Sequence, residues 1–385
     1  MWVKHNKILL SKILLLLVML LVVMSGLSGL GCMKGLQPIG WSGGAVVDGT
    51  LFVGSTEGRL VAINIADGAR QWSESLKTPG SAGWCGCAVA PAAMAIYGTP
   101  AVAGDLVYIG GYNGKIYAFN SSSLQKRWVY PPEGNLQPIV SGPVVAQGNV
   151  YFGGSDGKVY ALDANTGVKV WEPFQTGDKI WSTPAIDGDT LFVASFDNKL
   201  YALNTTNGEE RWQKPFETEG AIASTPLVYN NTVYIGSFDR HIYAVDATDG
   251  SLVWKSEVEG GNWFWAKPIA YNNVIYAPCL DGKVYILDAE SGREVVDAID
   301  LGSPVSSSPV LVGSSIIIAL EDGQIYAIDT ANNQIKLLAN VEERIDAPLC
   351  ASQGIVYVHT QDLTIHPVDT NTGARLMSIS LKASQ

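Results

Sequence analysis

The 385-residue sequence has little of what builds metal centres, nucleophilic sites or nucleic-acid interfaces. It carries five cysteines and four histidines, and His5, His241, His359 and His366 show no metal-ligand spacing, which speaks against a histidine-built metal site. Basic residues are scarce: 25 Lys and Arg stand against 36 Asp and Glu, a net charge of −11. That balance argues against nucleic acid or an anionic lipid surface as partner. Apolar spacing at the helical period is missing beyond the N-terminus, so the body of the chain is left to strands and turns. A long hydrophobic run occurs once, at residues 13–31.

What is present is a repeat. A unit of about 42 residues recurs eight times from Trp41 onward, a period that belongs to propellers and solenoids. The residue closing each copy is Trp72, Trp128, Trp171, Trp212, Trp254, Val296, Leu337 or Met377, at steps of 56, 43, 41, 42, 42, 41 and 40 residues. Each copy holds four short apolar runs; in the third they are 143–146, 150–153, 158–162 and 168–171. Asp-Gly, Asn-Gly and Thr-Gly pairs between them supply the positive φ of tight hairpins. Four hairpin-linked strands make one propeller blade. The expected fold is all-β: an eight-bladed β-propeller of four-stranded antiparallel blades over 41–385. A signal or anchor segment (1–31) and a short linker (32–40) precede it. The chain begins at an inner strand and ends at an outer one, so no strand is expected to be shared where the ring closes. Blades 6 to 8, which lack the Trp, are expected to be the softer part.

The turn between the third and fourth runs carries a finer signature. From Ala161 to Trp171 it reads A-x-D-x-x-T-G-x-x-x-W, with partial copies at 62–72, 202–212 and 244–254. The copy at 118–128 keeps both ends but has Leu124 where glycine is expected. With this pattern in register over 41–377, the chain resembles the PQQ-like (quinoprotein-type) repeat β-propeller family. The WD dipeptide of other propellers is absent at the equivalent place. The resemblance implies that Trp72, Trp128, Trp171, Trp212 and Trp254 dock structurally between adjacent blades. An indole suits that task, because it buries a large area and its N–H can reach a neighbouring carbonyl.

One branch of that family comprises dehydrogenases of alcohols and sugars that use PQQ, calcium, an aspartate base and a disulfide between adjacent cysteines. The other comprises non-catalytic BamB-like lipoproteins. No Cys-Cys pair exists here, Cys85-Gly86-Cys87 being the nearest approach, and the one insertion, 73–95, is short. The resemblance therefore implies the second branch, with no catalytic residue, no metal and no cofactor. PQQ with calcium belongs only to the alternative, a dehydrogenase-like quinoprotein or a propeller binding a small ligand or carbohydrate.

Lys4, Lys7 and Lys12 precede the apolar run, which ends in small residues before Cys32. This is the pattern of a secretion signal of lipoprotein type, with Cys32 lipidated. Gly29 stands where such signals have Leu, and the nineteen residues of the run can also span a bilayer as an uncleaved anchor. Either way the propeller is expected outside the cytoplasm and close to its membrane. Without residues 1–31 the chain has 22 basic and 36 acidic residues, net −14.

Cys85 and Cys87 fit a small disulfide loop, two free thiols or half a metal site. Cys279 and Cys350 fall in blades 6 and 8, which are not neighbours, so no bridge is expected between them. The Asp-Gly pairs follow the hairpin phase and read as turn geometry. A further set lies three residues before the proline that opens each first strand (Pro100, Pro143, Pro184, Pro226, Pro268, Pro309, Pro348, with Gly44 in the first copy). It comprises Trp41, Tyr97, Val140, Trp181, Ala223, Trp265, Ser306 and Ile345. Equivalent positions of a propeller form a ring about its axis. Trp41, Tyr97, Trp181 and Trp265, joined by Trp263, are thus expected as an aromatic collar that either binds a ligand or side chain or plugs the channel. The expected protein is a monomeric, membrane-tethered, non-catalytic scaffold for another envelope protein.

Overall fold

The computed structural model describes residues 40–55, 58–76 and 95–382; the segment 1–31, Cys32, Cys85 and Cys87 lie outside the described residues. The described chain forms thirty-two strands, sorted in chain order into eight separate four-stranded antiparallel sheets. Blades 1 to 8 span 44–72, 101–130, 144–175, 185–217, 227–255, 269–300, 310–340 and 350–380. The hairpins form where the sequence allows positive φ. In blades 3, 5 and 6 the first turn is Gln147-Gly148, Asn230-Asn231 or Asn272-Asn273, and both residues of each pair have positive φ, as a type I′ turn requires.

The middle two strands of each blade are covered on both faces. Val159–Leu162, apolar at both parities, is 0–3% exposed throughout. The core is accordingly not one body but a series of apolar clusters between neighbouring blades. Leu106 and Tyr108 of blade 2 pack with Phe152 and Tyr160 of blade 3. Leu51 and Val61 of blade 1 pack with Tyr357 and Ile365 of blade 8, which closes the ring. Each sheet is complete within its own repeat, so closure rests on side chains and not on a shared strand.

Three outer strands differ from the expected placement. In blade 3 the fourth strand is Phe174–Gln175, not 168–171, with a single bridge from Leu162 to Lys169 ahead of it. Blade 4 repeats this, with a Leu203–Glu210 bridge and a strand at Phe216–Glu217. Pro173 and Pro215 lie between the Trp and the strand, and proline cannot donate to the ladder. In blade 8 a Val368–Arg375 bridge precedes a strand at Ile379–Ser380, beyond Met377.

Trp128, Trp171, Trp212 and Trp254 are only 5–9% exposed. Their indoles donate to the carbonyls of Ala164 (2.9 Å), Thr205 (3.1 Å), Ala247 (3.1 Å) and Ala289 (2.9 Å), each on the next blade. Each ring lies on the hairpin glycine of that blade. A Cβ added at Gly167, Gly208, Gly250 or Gly292 would come within 2.5–2.7 Å of it. The Gly and Trp of the signature therefore serve each other across blades, not within one.

Trp72 departs from this arrangement. It is half-buried and packs against the cluster containing Val61 and Tyr357, toward blade 8. The slot on blade 2 is filled instead by Leu124, which replaces the glycine and is 3% exposed. The outer strand of blade 1 also lacks a bulge: Ala62 pairs with Gln71 and Val61 with Trp72, whereas Ala118 pairs with Trp128 and Ala244 with Trp254. A shift of one residue turns a strand side chain to the opposite face.

Candidate functional site: the axial collar

Each innermost strand is preceded by the same local pattern, which in blade 4 is Ile180, Trp181, Ser182, Thr183. Ile180 and Ser182 are buried while Trp181 and Thr183 face the axis, the alternation of extended chain. The buried partners hold the collar in place. Ile96, Ile139, Ile180 and Phe264 each sit where a Cβ on Gly54, Gly110, Gly153 or Gly236 of the preceding blade would come within 2.2–2.5 Å. Only glycine permits that approach. The serine adds a second tether: Ser141 Oγ donates to Gly153 O (2.8 Å) and Ser182 Oγ to Ala194 O (2.7 Å).

Trp41, Tyr97, Val140, Trp181, Ala223, Trp265 and Ser306 line one axial cavity of about 80 Å³. In blade 8 the residue in this position of the lining is Asp346, not Ile345, which is fully buried. Cys350 pairs with Tyr357 as Ala185 pairs with Phe192. Counting back from these, Pro348 stands where blade 4 has Thr183, so in blade 8 the proline is a misleading landmark. Trp263 is likewise outside the cavity lining. It lies two residues before Trp265, as Lys179 lies before Trp181, and stacks on Phe238 at 4.4 Å.

The structure adds aromatics that the repeat alignment passed over: Tyr112, Phe196 and Phe238. Phe196 and Phe238 immediately precede the aspartate of the turn between second and third strands, a position that could have been compared across copies. Phe196 N donates to Lys179 O (3.1 Å) and Phe238 N to Ala221 O (2.9 Å), which fixes this turn beside the collar. The result is an aromatic arc over blades 4 to 6. Ring centroids are 4.9 Å apart for Trp181–Phe196, 5.6 Å for Phe196–Phe238 and 5.9 Å for Phe238–Trp265. Lys179 Nζ lies 4.3 Å from the Phe196 ring. A smaller group, Trp41, Tyr97 and Tyr112, joins blades 1 and 2 at 4.5 and 5.5 Å. Burial, with Tyr112 adjacent, pushes the Tyr97 hydroxyl up to about 12.

Blades 7 and 8 complete the collar with polar groups. Arg344 pairs with Glu321 (2.8 Å) and with Asp346 (3.0 Å). Asp346 also accepts from Ser306 (3.3 Å) and Gln361 (2.5 Å). Burial raises Glu321 above the usual carboxylate range against the pull of Arg344. The face is thus divided: rings on one side, a cross-linked charge cluster on the other.

The remaining candidates are structural. Asp156, Asp197, Asp239 and Asp281 accept from the hydroxyls of Tyr160, Tyr201, Tyr243 and Tyr285 at 2.6–2.7 Å. Each also caps the turn that it begins. Cys279 and Cys350 are unpaired, and burial pushes both thiols up to about 12, which leaves them protonated and unreactive. His359 is buried and held to Ser42 O at 2.8 Å, and burial lowers it. PQQ with calcium does not fit the collar. The cavity is well below the roughly 300–1,000 Å³ of cofactor pockets. Its one lining carboxylate, Asp346, already has both oxygens bonded.

Comparison with known proteins agrees with this architecture. The sequence profile of the family described as "Outer membrane protein assembly factor BamB" matches residues 34–173 and 155–378. The assembly factor BamB of Bordetella pertussis is 23% identical over 163 residues, which covers 42% of this chain and 40% of that relative's length. Among solved structures, BamB from Moraxella catarrhalis superposes with a TM-score of 0.69 at 19% identity, covering 86% of this chain and 97% of that one. A computationally designed protein, Ika8, also reaches 0.69 at 15% identity, covering 86% and 95%. At these identities the two structures speak to the fold alone.

Proposed function

The chain belongs to the family of the outer membrane protein assembly factor BamB, and from that premise we propose a non-catalytic scaffold that holds another envelope protein on its collar face. The observation that carries this reading is the composition of that face. Half-buried aromatic rings in mutual contact lie beside a charge cluster whose members are already paired with one another. Clustered, partly exposed rings rimmed by polar groups are what protein interfaces use as anchors. Chemistry of the dehydrogenase kind would need a free carboxylate base, and the two carboxylates of the collar face, Glu321 and Asp346, are already engaged. In this reading Cys32 carries the lipid or residues 13–31 the anchor, so the scaffold works at a membrane outside the cytoplasm.

The test places a photo-crosslinking residue at Phe196 on the collar face, or at Asn165 on the opposite hairpins, in the full-length protein in its own envelope. A discrete adduct from Phe196 that is absent from Asn165, and lost when Trp181 and Trp265 are replaced by Ala, is the expected outcome. Equal adducts from both faces, or alcohol or sugar oxidation by the protein incubated with PQQ and calcium, would sink the reading. The native N-terminus, read by mass spectrometry on wild type and Cys32→Ala, separates lipid from anchor.

A further inference from the structure

At the axis the hydrogen bonds leave donors unspent. Thr183, Thr225 and Ser308 line the cavity, and each hydroxyl oxygen accepts a backbone N–H of the preceding blade: from Gly142 (3.0 Å), Thr183 (3.3 Å) and Lys267 (3.1 Å). Those bonds use the oxygens and leave the protons free. None of the three hydroxyls donates to an acceptor among the described residues. Lys267 lines the same cavity, and among the described residues its ammonium has no hydrogen bond and no ion pair. Burial alone pushes it below the usual lysine range. Asp346 does not answer this positive charge, because Arg344, Ser306 and Gln361 occupy its oxygens. Lys267 is partly buried where it lines this cavity, and donors gathered at one cavity with nothing to receive them are complementary to an anion.

We propose that the axial cavity is a binding site for a single carboxylate-sized anion, held by the Lys267 ammonium and the Thr183, Thr225 and Ser308 hydroxyls. A cavity of 80 Å³ has room for several waters at about 10–15 Å³ each, or for one small group of that bulk. Trp41, Tyr97, Trp181 and Trp265 line the same space. A free small acid and the C-terminal end of a partner peptide both carry that carboxylate, and the chemistry of the site is the same for the two. The site does not depend on the scaffold reading, since it is built entirely within this chain.

Sodium acetate is the probe, titrated against sodium chloride at matched ionic strength, with melting temperature and tryptophan fluorescence as readouts. Wild type should respond saturably to acetate. Lys267→Met should bind acetate about tenfold more weakly or worse, the loss of one charged hydrogen bond, and should melt no lower than wild type without acetate. Thr183→Val with Thr225→Val is the second variant, should Lys267→Met fail to fold; it should weaken acetate while keeping Lys267. A tetrapeptide with a free C-terminal carboxylate is then run against its amide. Competition by the acid form alone supports a peptide source. Acetate binding without peptide competition supports a free acid. Equal responses in wild type and both variants, or no saturable response in wild type, would overturn the site.

Discussion

Blades 2 to 5 and the stretch from blade 6 round to blade 1 solve the same packing problem in different ways. In the first region every interface receives an indole on a hairpin glycine, with its N–H bonded across the boundary. In the second no indole docks among the described residues. Between blades 6 and 7 the Tyr276 hydroxyl donates to Asn333 Oδ1 at 3.0 Å, and Val296, in the place of the Trp, is 40% exposed. Between blades 7 and 8 the space over Gly373 is taken by the Leu338 backbone, and Leu337 is 51% exposed. Between blades 8 and 1 the slot stays open. Met377 is 88% exposed, a Cβ on Gly68 would meet nothing closer than 3.9 Å, and a groove of about 880 Å³ remains. The seam is held further in, where His359 bonds Ser42 O and Cys350 and Leu51 fill the space that a side chain at Gly44 would need, and at its outer edge by Arg70, which donates to Ser380 O. A repeat can therefore lose its signature residue wherever another group closes the slot, and the price appears where nothing does.

The largest effect that would break this contrast is a deletion in the docked region. Trp171→Ala should cost about 3–5 kcal/mol, the range for buried Trp truncation, whereas Met377→Ala should stay within about 0.5 kcal/mol, as exposed positions do. Urea midpoints on the two variants check this, and equal losses would mean that the docked indoles are not what distinguishes the regions. A sharper comparison uses the glycines. Gly208→Ala and Gly68→Ala both place a side chain at positive φ, +74 and +71, for about 1–2 kcal/mol each. Only Gly208→Ala also pushes an indole, 2.7 Å away, adding about 1–3 kcal/mol of overpacking. Thermal melts should therefore show a clearly greater drop for Gly208→Ala. The smallest expected change is a gain. Met377→Trp offers an indole to the open groove over Gly68 and should stabilise by about 0.5–2 kcal/mol, as cavity-filling substitutions do. Hydrogen exchange should then slow at the outer strands of blades 8 and 1, which are expected to exchange fastest in wild type. Uniform protection around the wild-type ring would remove the basis for the comparison.

Much of the fold was legible because a repeat states the same instruction many times. Blade number and strand order follow from phase, and the docking that the family resemblance implied for five tryptophans is seen at four of them. The outer strands of blades 3, 4 and 8 were misplaced because the run up to the closing residue reads as the strand, whereas the strand lies beyond it, after the proline in blades 3 and 4. The other misses occur where a copy departs from its neighbours. Trp72 is in phase, but its docking depends on the next copy's glycine, and Leu124 stands there. Ile345 counts correctly from Pro348, but the blade 8 opening is one residue out of step, so Asp346 takes its place. Phe196 and Phe238 went unseen because their position is aromatic in some copies and polar or aliphatic in others, as Ser155 and Leu280 are.

The sequence by itself determined the eight antiparallel blades, since hairpin turns and apolar runs are local properties that each repeat carries complete. It also determined that the axis would bear aromatics, because equivalent positions in a closed ring must face one another. Only the tertiary structure decided which slots are filled, that the collar has a ring side and a charged side, and that Lys267 meets no acidic partner among the described residues. Those outcomes depend on pairs of residues from different blades, brought together when the ring closes and side chains compete for the same space. No single copy of the repeat contains both members of such a pair.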